Sequence, residues 1–282
     1  MVSLDLPVGL EKFRTKLEAT VKPYIDIQTR FTRETTLWQS KFAGFPYLPK
    51  GFEYPVTPEG EPLHLLAQIN FDEAPNLEGF PTTGILQFYV AMDGAYGLDY
   101  ENITNQTDQT NFRVLYFPEV DLDKNNLITN FDFLPTLWDY DNEFIPFYVF
   151  PSYAYHRDDC FALSFNLKNA PISDCDYKFQ ELIDVWDAFE PNDSALWDEY
   201  REKFVEGHRI GGYPHFTQAD PRESLPDDEE PYILLLQIDF DPGELEKISI
   251  QWGDMGVGNF WIKPSALKNL DFSEALYNWD NC

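Results

Sequence analysis

Apolar residues Leu10, Phe13 and Leu17 recur at helical spacing within 7–20, with Glu11, Lys12, Arg14, Lys16 and Glu18 on the other faces, which predicts one amphipathic helix. Beyond Pro23 the pattern changes, and the β-formers of 24–32 predict a strand. Gly and Pro then punctuate 44–62, a loop pinned by rings. Four strands of a meander are predicted at 63–71, 84–92, 112–117 and 127–133. The helical period returns at Phe179, Leu182, Ile183 and Trp186, ended by Pro191. A second helix follows, with Asp193 or Ser194 as its cap, Leu196, Trp197, Tyr200 and Phe204 as its apolar face, and Gly207 as its terminator. Strands resume at 232–240, 247–252 and 259–262, and Pro264 suits the first turn of a short helix. This pattern predicts a β-rich α+β fold of mostly antiparallel sheets with a few helices.

One segment occurs twice. Leu65-Leu66-Ala67-Gln68-Ile69-Asn70-Phe71-Asp72 and Leu234-Leu235-Leu236-Gln237-Ile238-Asp239-Phe240-Asp241 agree at six of eight positions. Gly44-Phe45-Pro46 precedes the first copy as Gly212-Tyr213-Pro214 precedes the second, 24 and 25 residues before the glutamine. Downstream, 84–89 resembles 247–252, each a strand with glutamine before an aromatic residue. A period near 168 residues is too long for a solenoid and predicts an internal duplication instead. The expected organisation is one domain over 1–282, with related halves at 41–150 and 207–282 joined by a helical segment at 174–206.

Gln68 and Gln237 are polar residues inside apolar strands. At a strand period of two, Leu234, Leu236 and Ile238 share one face, and Leu235, Gln237 and Asp239 the other. A buried amide needs partners for its donors and acceptor, and the backbone of the Gly-aromatic-Pro turn is the nearest source. A structural role is therefore expected ahead of ligand contact.

Composition makes the chain globular: 43% hydrophobic and 17% aromatic residues supply a core despite a net charge of −29. Residues 1–50 carry 8 Lys or Arg against 5 Asp or Glu, so the negative charge belongs to the remainder. Such a surface repels phosphate backbones and anionic lipid, which argues against nucleic acid and membrane and favours basic proteins or cations; solubility alone also accounts for it. Cys160, Cys175 and Cys282 form no CxxC pair and no disulfide framework, as in a reducing compartment. Residues 1–10 lack a signal-peptide pattern, and no run approaches the roughly 20 apolar residues that span a bilayer, so a cytoplasmic location is expected.

Several segments together resemble a family: Ser40-Lys41-Phe42-Ala43-Gly44-Phe45-Pro46-Tyr47-Leu48-Pro49, 65–70, Gly207-His208-Arg209-Ile210-Gly211-Gly212-Tyr213-Pro214-His215-Phe216-Thr217-Gln218-Ala219-Asp220-Pro221-Arg222, 234–239 and Gln251-Trp252-Gly253-Asp254-Met255-Gly256-Val257-Gly258-Asn259-Phe260. The chain resembles the YwqG-like bacterial proteins of unknown function over nearly its whole length. One departure is Ala43, where a glycine would mirror Gly211-Gly212. The resemblance implies a bacterial cytoplasmic protein of β-rich α+β type, and it brings no activity or cofactor.

Two constellations carry candidate chemistry. Asp121, Asp123, Asn125 and Asp132 stand at EF-hand-like ligand positions, but Asn126 replaces the expected glycine and the flanks read as strands, so a hairpin turn is favoured over calcium. Asp220, Arg222, Trp252 and Asp254, with Tyr213 and Gln218 of the same stretch, would line a polar cleft for a small ligand. The plainer reading is an ion pair of Arg222 with Asp254 or Asp220. His208 and His215 bracket the second turn, and His64 and His156 stand alone; neither spacing is that of metal ligands. No nucleophile, phosphate-loop or metalloprotease motif occurs. Two functions follow from these residues: a non-catalytic acidic protein docking a basic protein partner, as an inhibitor or immunity protein does, or a ligand-binding protein or enzyme built on that polar cleft. The sequence fixes no oligomeric state.

Overall fold

The computed structural model describes residues 4–99, 106–136, 145–183, 194–225, 230–244 and 246–281. Its strands are β1 (Lys22–Thr32), β2 (Lys41–Ala43), β3 (His64–Asn70), β4 (Ile85–Val90), β5 (Phe112–Phe117), β6 (Phe147–Val149), β7 (Cys160–Ala170), β8 (His208–Gly211), β9 (Ile233–Ile238), β10 (Asp241–Glu244), β11 (Ile248–Ile250), β12 (Val257–Ile262) and β13 (Leu276–Asp280). The helices are α1 (Arg14–Ala19), α2 (Phe179–Ile183), α3 (Ser194–Phe204) and α4 (Pro264–Lys268).

Ten strands form one antiparallel sheet in the order β13-β12-β9-β8-β1-β7-β2-β3-β4-β5, and β10-β11-β6 form a small second sheet. Its two ends approach each other: the Tyr277 N–H donates to the Gln106 carbonyl at 3.0 Å, and the Phe112 and Tyr277 rings lie 5.2 Å apart. The sheet is thus a near-barrel. Inside, Phe88 of β4 meets Phe260 of β12 at 4.7 Å, within an apolar core that also takes Ile248, Ile250, Phe147 and Val149 from the small sheet.

The strand order reads alike from both ends. The long strands β1 and β7 pair at the centre over their full length, from Lys22 opposite Ala170 to Thr32 opposite Cys160. Each borrows its other neighbour from the far part of the chain: β1 pairs with β8, and β7 with β2. Tyr24 faces Gly211 as Cys160 faces Ala43, and Asp26 faces Arg209 as Ala162 faces Lys41.

The helices gather outside the sheet, where Leu10, Leu17, Phe179, Ile183, Trp197 and Tyr200 bury one another. The helix expected over 7–20 begins as a 3-10 turn at Val8–Phe13 and becomes α-helical only at Arg14. The continuation expected through Trp186 lies outside the described residues, as do Pro191 and Asp193. The strand expected at 127–133 does not form. Leu127 makes a lone bridge to Pro49, while Asp121, Asp123 and Asn130 cap nearby amides with their own side chains, a competing use of the backbone.

The face assignment for β9 is also corrected. Phe260 lies opposite Leu236 and Trp261 opposite Leu234, so Leu235 is a bulge. That extra residue turns Leu235 inward with Leu236 and Ile238, and leaves Leu234 in a separate cluster with Phe216, Trp261 and Leu276. An equivalent bulge falls at Leu66 of β3, between the Leu65–Tyr89 and Ala67–Phe88 pairs.

Candidate functional site

Beyond each bulge the strand turns a glutamine to the outer face, beneath a covering loop. The Gln68 carbonyl oxygen accepts from the Tyr47 N–H and from Gln87 Nε2, both at 2.7 Å, and its amide donates to the Leu37 and Gln39 carbonyls at 2.8 Å. The Gln237 oxygen accepts from the His215 N–H at 2.7 Å, and its amide donates to the Gly207 carbonyl at 2.7 Å and the Val205 carbonyl at 3.4 Å. The neighbouring strand completes each frame. Gln87 donates to the Tyr47 carbonyl at 2.7 Å, and Asn259 to the His215 carbonyl at 2.9 Å. The counterpart of Gln87 is therefore Asn259 of β12; the expected counterpart, Gln251, follows β11 in the other sheet.

A buried cation completes each frame. Lys41 Nζ donates to the Thr36 and Phe45 carbonyls at 2.6 and 3.1 Å, opposite Gln68. Arg209, opposite Gln237, donates to the Phe204 and Tyr213 carbonyls at 2.9 and 3.4 Å and lies 4.6 Å from the Tyr24 ring centre. Burial lowers the Lys41 pKa to about 8 and lowers that of Arg209 as well. Gly211 and Gly212 supply the left-handed turn of one frame at φ +70° and +73°, and Ala43 and Gly44 that of the other at φ +58° and +71°. Ala43 thus adopts the backbone that the missing glycine would have held.

Where the two frames differ, the second gains ionisable groups. Ser40, Tyr47 and Asn70 of the first are His208, His215 and Asp239 of the second. His215 Nδ1 meets Asp239 Oδ2 at 3.1 Å, and the Gly207 N–H donates to the same oxygen at 2.8 Å. His208 Nδ1 accepts from the Asp239 N–H at 3.0 Å, so its proton sits on Nε2 and points to Asp241 Oδ2 at 3.2 Å. Burial opposes the charge on Asp241, but hydrogen bonds from His208, Thr29 and the Gly243 N–H outweigh it and lower its pKa to about 2.

The His215–Asp239 pair forms the floor of a cleft of ≈ 730 Å³. Asp198, Glu202 and Glu206 line it as well, and so do Cys175, Gln218 and Met255. Arg201, the one arginine lining it among the described residues, is held by Asp174 at 2.6 Å and Asp198 at 3.1 Å. Burial works against a charged His215, yet the hydrogen bond and charge of Asp239, with Glu206 beyond, raise its pKa. Burial also raises Glu206, and raises the Cys175 thiol to about 11, so the cysteine is no ready nucleophile. No hydrogen bond to His215 Nε2 is found among the described residues.

A family model described as Domain of unknown function (DUF1963) matches residues 40–282, which hold both frame glutamines and the lining of the cleft. The chain belongs to this family. A search of curated proteins finds no match. No helix among the described residues of this DUF1963 chain is long and apolar enough to cross a membrane.

The polar cleft expected from Asp220, Arg222, Trp252 and Asp254 does not assemble. Trp252 lies wholly in the interior against Tyr96, Tyr277 and Trp279, and a Cβ on Gly258 would strike its ring. The tryptophan beneath Arg222 is Trp261, at 4.4 Å. Arg222 grips Asp220 at 2.6 Å and Asp176 at 2.8 Å, so the plainer ion-pair reading describes the geometry, with Asp176 in place of Asp254. Asp254 is exposed in the turn before β12. Tyr213 is buried, its hydroxyl donating to the Thr20 carbonyl at 2.7 Å, and Gln218 reaches the cleft rim, donating to the Asn281 carbonyl at 2.6 Å. In the calcium candidate, Asp121 and Asp123 accept from the Asp123, Asn125 and Asn126 groups of their own turn. Asp132 belongs to the next turn, where its N–H donates to Asn130. Among the described residues no group of three His, Cys, Asp or Glu is placed to hold a metal.

Proposed function

We propose that this DUF1963 chain is a non-catalytic binding protein that docks a basic protein partner, in the manner of an inhibitor or immunity protein, with a cationic side chain of the partner entering the His215–Asp239 cleft. The carrying observation is the lining: Asp198, Glu202, Glu206 and Asp239 surround a cavity whose Arg201 is already paired. The volume is that of an ordinary ligand cleft, and the net charge of −29 draws basic partners toward it. We take the two frames to descend from an internal duplication, in a YwqG-like bacterial cytoplasmic protein; the matched bulges, glutamines, cations and turns support that origin. On this view one copy kept Ser40, Tyr47 and Asn70, and the other acquired His208, His215 and Asp239.

Hexalysine serves as a probe. Its affinity for the full chain should fall at least tenfold between low and high salt, and at least fivefold in Glu202→Gln/Glu206→Gln. It should change little in the exposed control Glu53→Gln/Glu59→Gln. Equal weakening in both variants would assign the binding to diffuse charge and sink the cleft reading.

The dyad favours a second reading. An imidazole oriented by a carboxylate at Nδ1, with Nε2 unclaimed, is the arrangement of a general base. A metabolite that stabilises the chain against heat, and fails to stabilise His215→Phe, would favour this reading over docking.

A further inference from the structure

A second cavity, of ≈ 120 Å³, opens beside the Gly212–Tyr213 turn. Its lining reverses the sign of the rest of the molecule: Lys22, Lys178 and Arg222 face one carboxylate, Asp176. That carboxylate is already engaged, one oxygen by Arg222 at 2.8 Å and the other by the Lys178 N–H at 3.0 Å. Asp220, behind Arg222, is engaged likewise, by the guanidinium and by the Tyr177 N–H at 3.1 Å. The two ammonium groups are left over. Lys22 lies 4.3 Å from the Tyr213 ring centre and Lys178 5.2 Å from that of Tyr177, and neither forms an ion pair among the described residues.

We propose that this cavity binds the phosphate group of a small molecule between Lys22 and Lys178. Two ammonium groups match the charge of a phosphate monoester, about −1.5 to −2 near neutral pH, and lysine serves phosphate as a mobile point charge. The space equals about four waters of liquid, which admits a phosphate head while its carrier stays outside. Tyr177 and Tyr213 hold the two lysines by their ring faces without neutralising them. Partial desolvation of the Lys22 ammonium, with repulsion from Arg222 and Lys178, outweighs the attraction of Asp176 and disfavours its charge, so a bound anion relieves a strain already present.

Inorganic phosphate titrated calorimetrically into the full chain, with ionic strength held constant by chloride, tests the site. Saturable binding at one site is expected, weakened at least fivefold in Lys22→Met and in Lys178→Met and unchanged in Lys124→Met, an exposed lysine elsewhere. Both tested lysines are exposed, so the variants keep the fold, which thermal melting checks. Heats of dilution alone, or binding indifferent to both variants, would overturn the proposal. Malonate binding as tightly as phosphate would overturn the assignment to phosphate.

Discussion

Asn70 and Asp239 stand at matching places in the two frames: the Asn70 N–H donates to Ser40 Oγ at 2.9 Å and the Asp239 N–H to His208 Nδ1 at 3.0 Å, yet only Asp239 carries charge. The near-barrel thus presents a single hydrogen-bonding plan twice, with an amide at this place in one version and a carboxylate in the other. The functional reading rests on that contrast.

Asp239→Asn installs the neutral residue of the first frame. The fold should survive, because Asn70 shows an amide to be compatible with this plan. The His215 pKa, followed by NMR of its ring protons, should fall. Because His215 is raised in the folded chain, its bond to Asp239 stabilises fully below about pH 6.5 and is lost as pH rises through the raised value. The variant should therefore be weaker than the parent by about 1–3 kcal/mol at pH 6, and by less at pH 9.

Replacing either frame glutamine by leucine leaves buried backbone groups without partners. Gln68→Leu abandons the Tyr47 N–H and the Leu37 and Gln39 carbonyls, and Gln237→Leu the His215 N–H and the Gly207 carbonyl. Urea unfolding should show each variant destabilised by roughly 2–5 kcal/mol. As the frames share no side chain, the double variant should lose the sum to within about 0.5 kcal/mol.

His64 is half-buried against Phe147, its Nε2 enclosed with no partner among the described residues, and desolvation lowers its pKa to about 4. The unfolded chain takes up this proton near pH 6.5 and the folded chain only near 4, so stability is lost as pH falls across that window, by about 3 kcal/mol when complete. His64→Phe should flatten the acid limb of the stability curve there. A limb identical to that of the parent would refute this.

Gly212 holds φ +73°, and an added Cβ would lie 2.8 Å from the Tyr24 Cβ. Gly212→Ala should cost roughly 2–3 kcal/mol in thermal or urea unfolding, from the left-handed backbone and the clash together. Ala43→Gly, at the matching turn, should be far milder, since no contact forbids it.

Most of the strand pattern was legible in the sequence, and so were the repeated glutamines with their turns. The bulges at Leu66 and Leu235 were not, because an extra residue inside an all-apolar run leaves no trace in its periodicity. β7 was missed although Phe161, Leu163, Phe165 and Leu167 recur at period two, and its pairing with β1 and β2 is a long-range choice that no local signal encodes. Asn259 was hidden because an asparagine replaces the glutamine of β4 after a longer connection. The cleft was half visible: the repeat itself displays Asn70 against Asp239, but Glu202 and Glu206 arrive from α3 and the residues just after it, outside the repeated strands. Trp252 and Trp261 could not be told apart as partners of Arg222 by sequence proximity, since Trp252, just after β11, enters the main core while β12 places Trp261 in the separate cluster with Phe216 and Leu234.

The cleft itself can be interrogated at one atom. The His215 titration, followed by NMR on the full chain with and without saturating hexalysine, reads the local field directly. An ammonium group seated among Glu202, Glu206 and Asp239 should lower the His215 pKa and leave that of His64 unmoved. A saturated complex in which His215 titrates as in the free chain would contradict docking at this site.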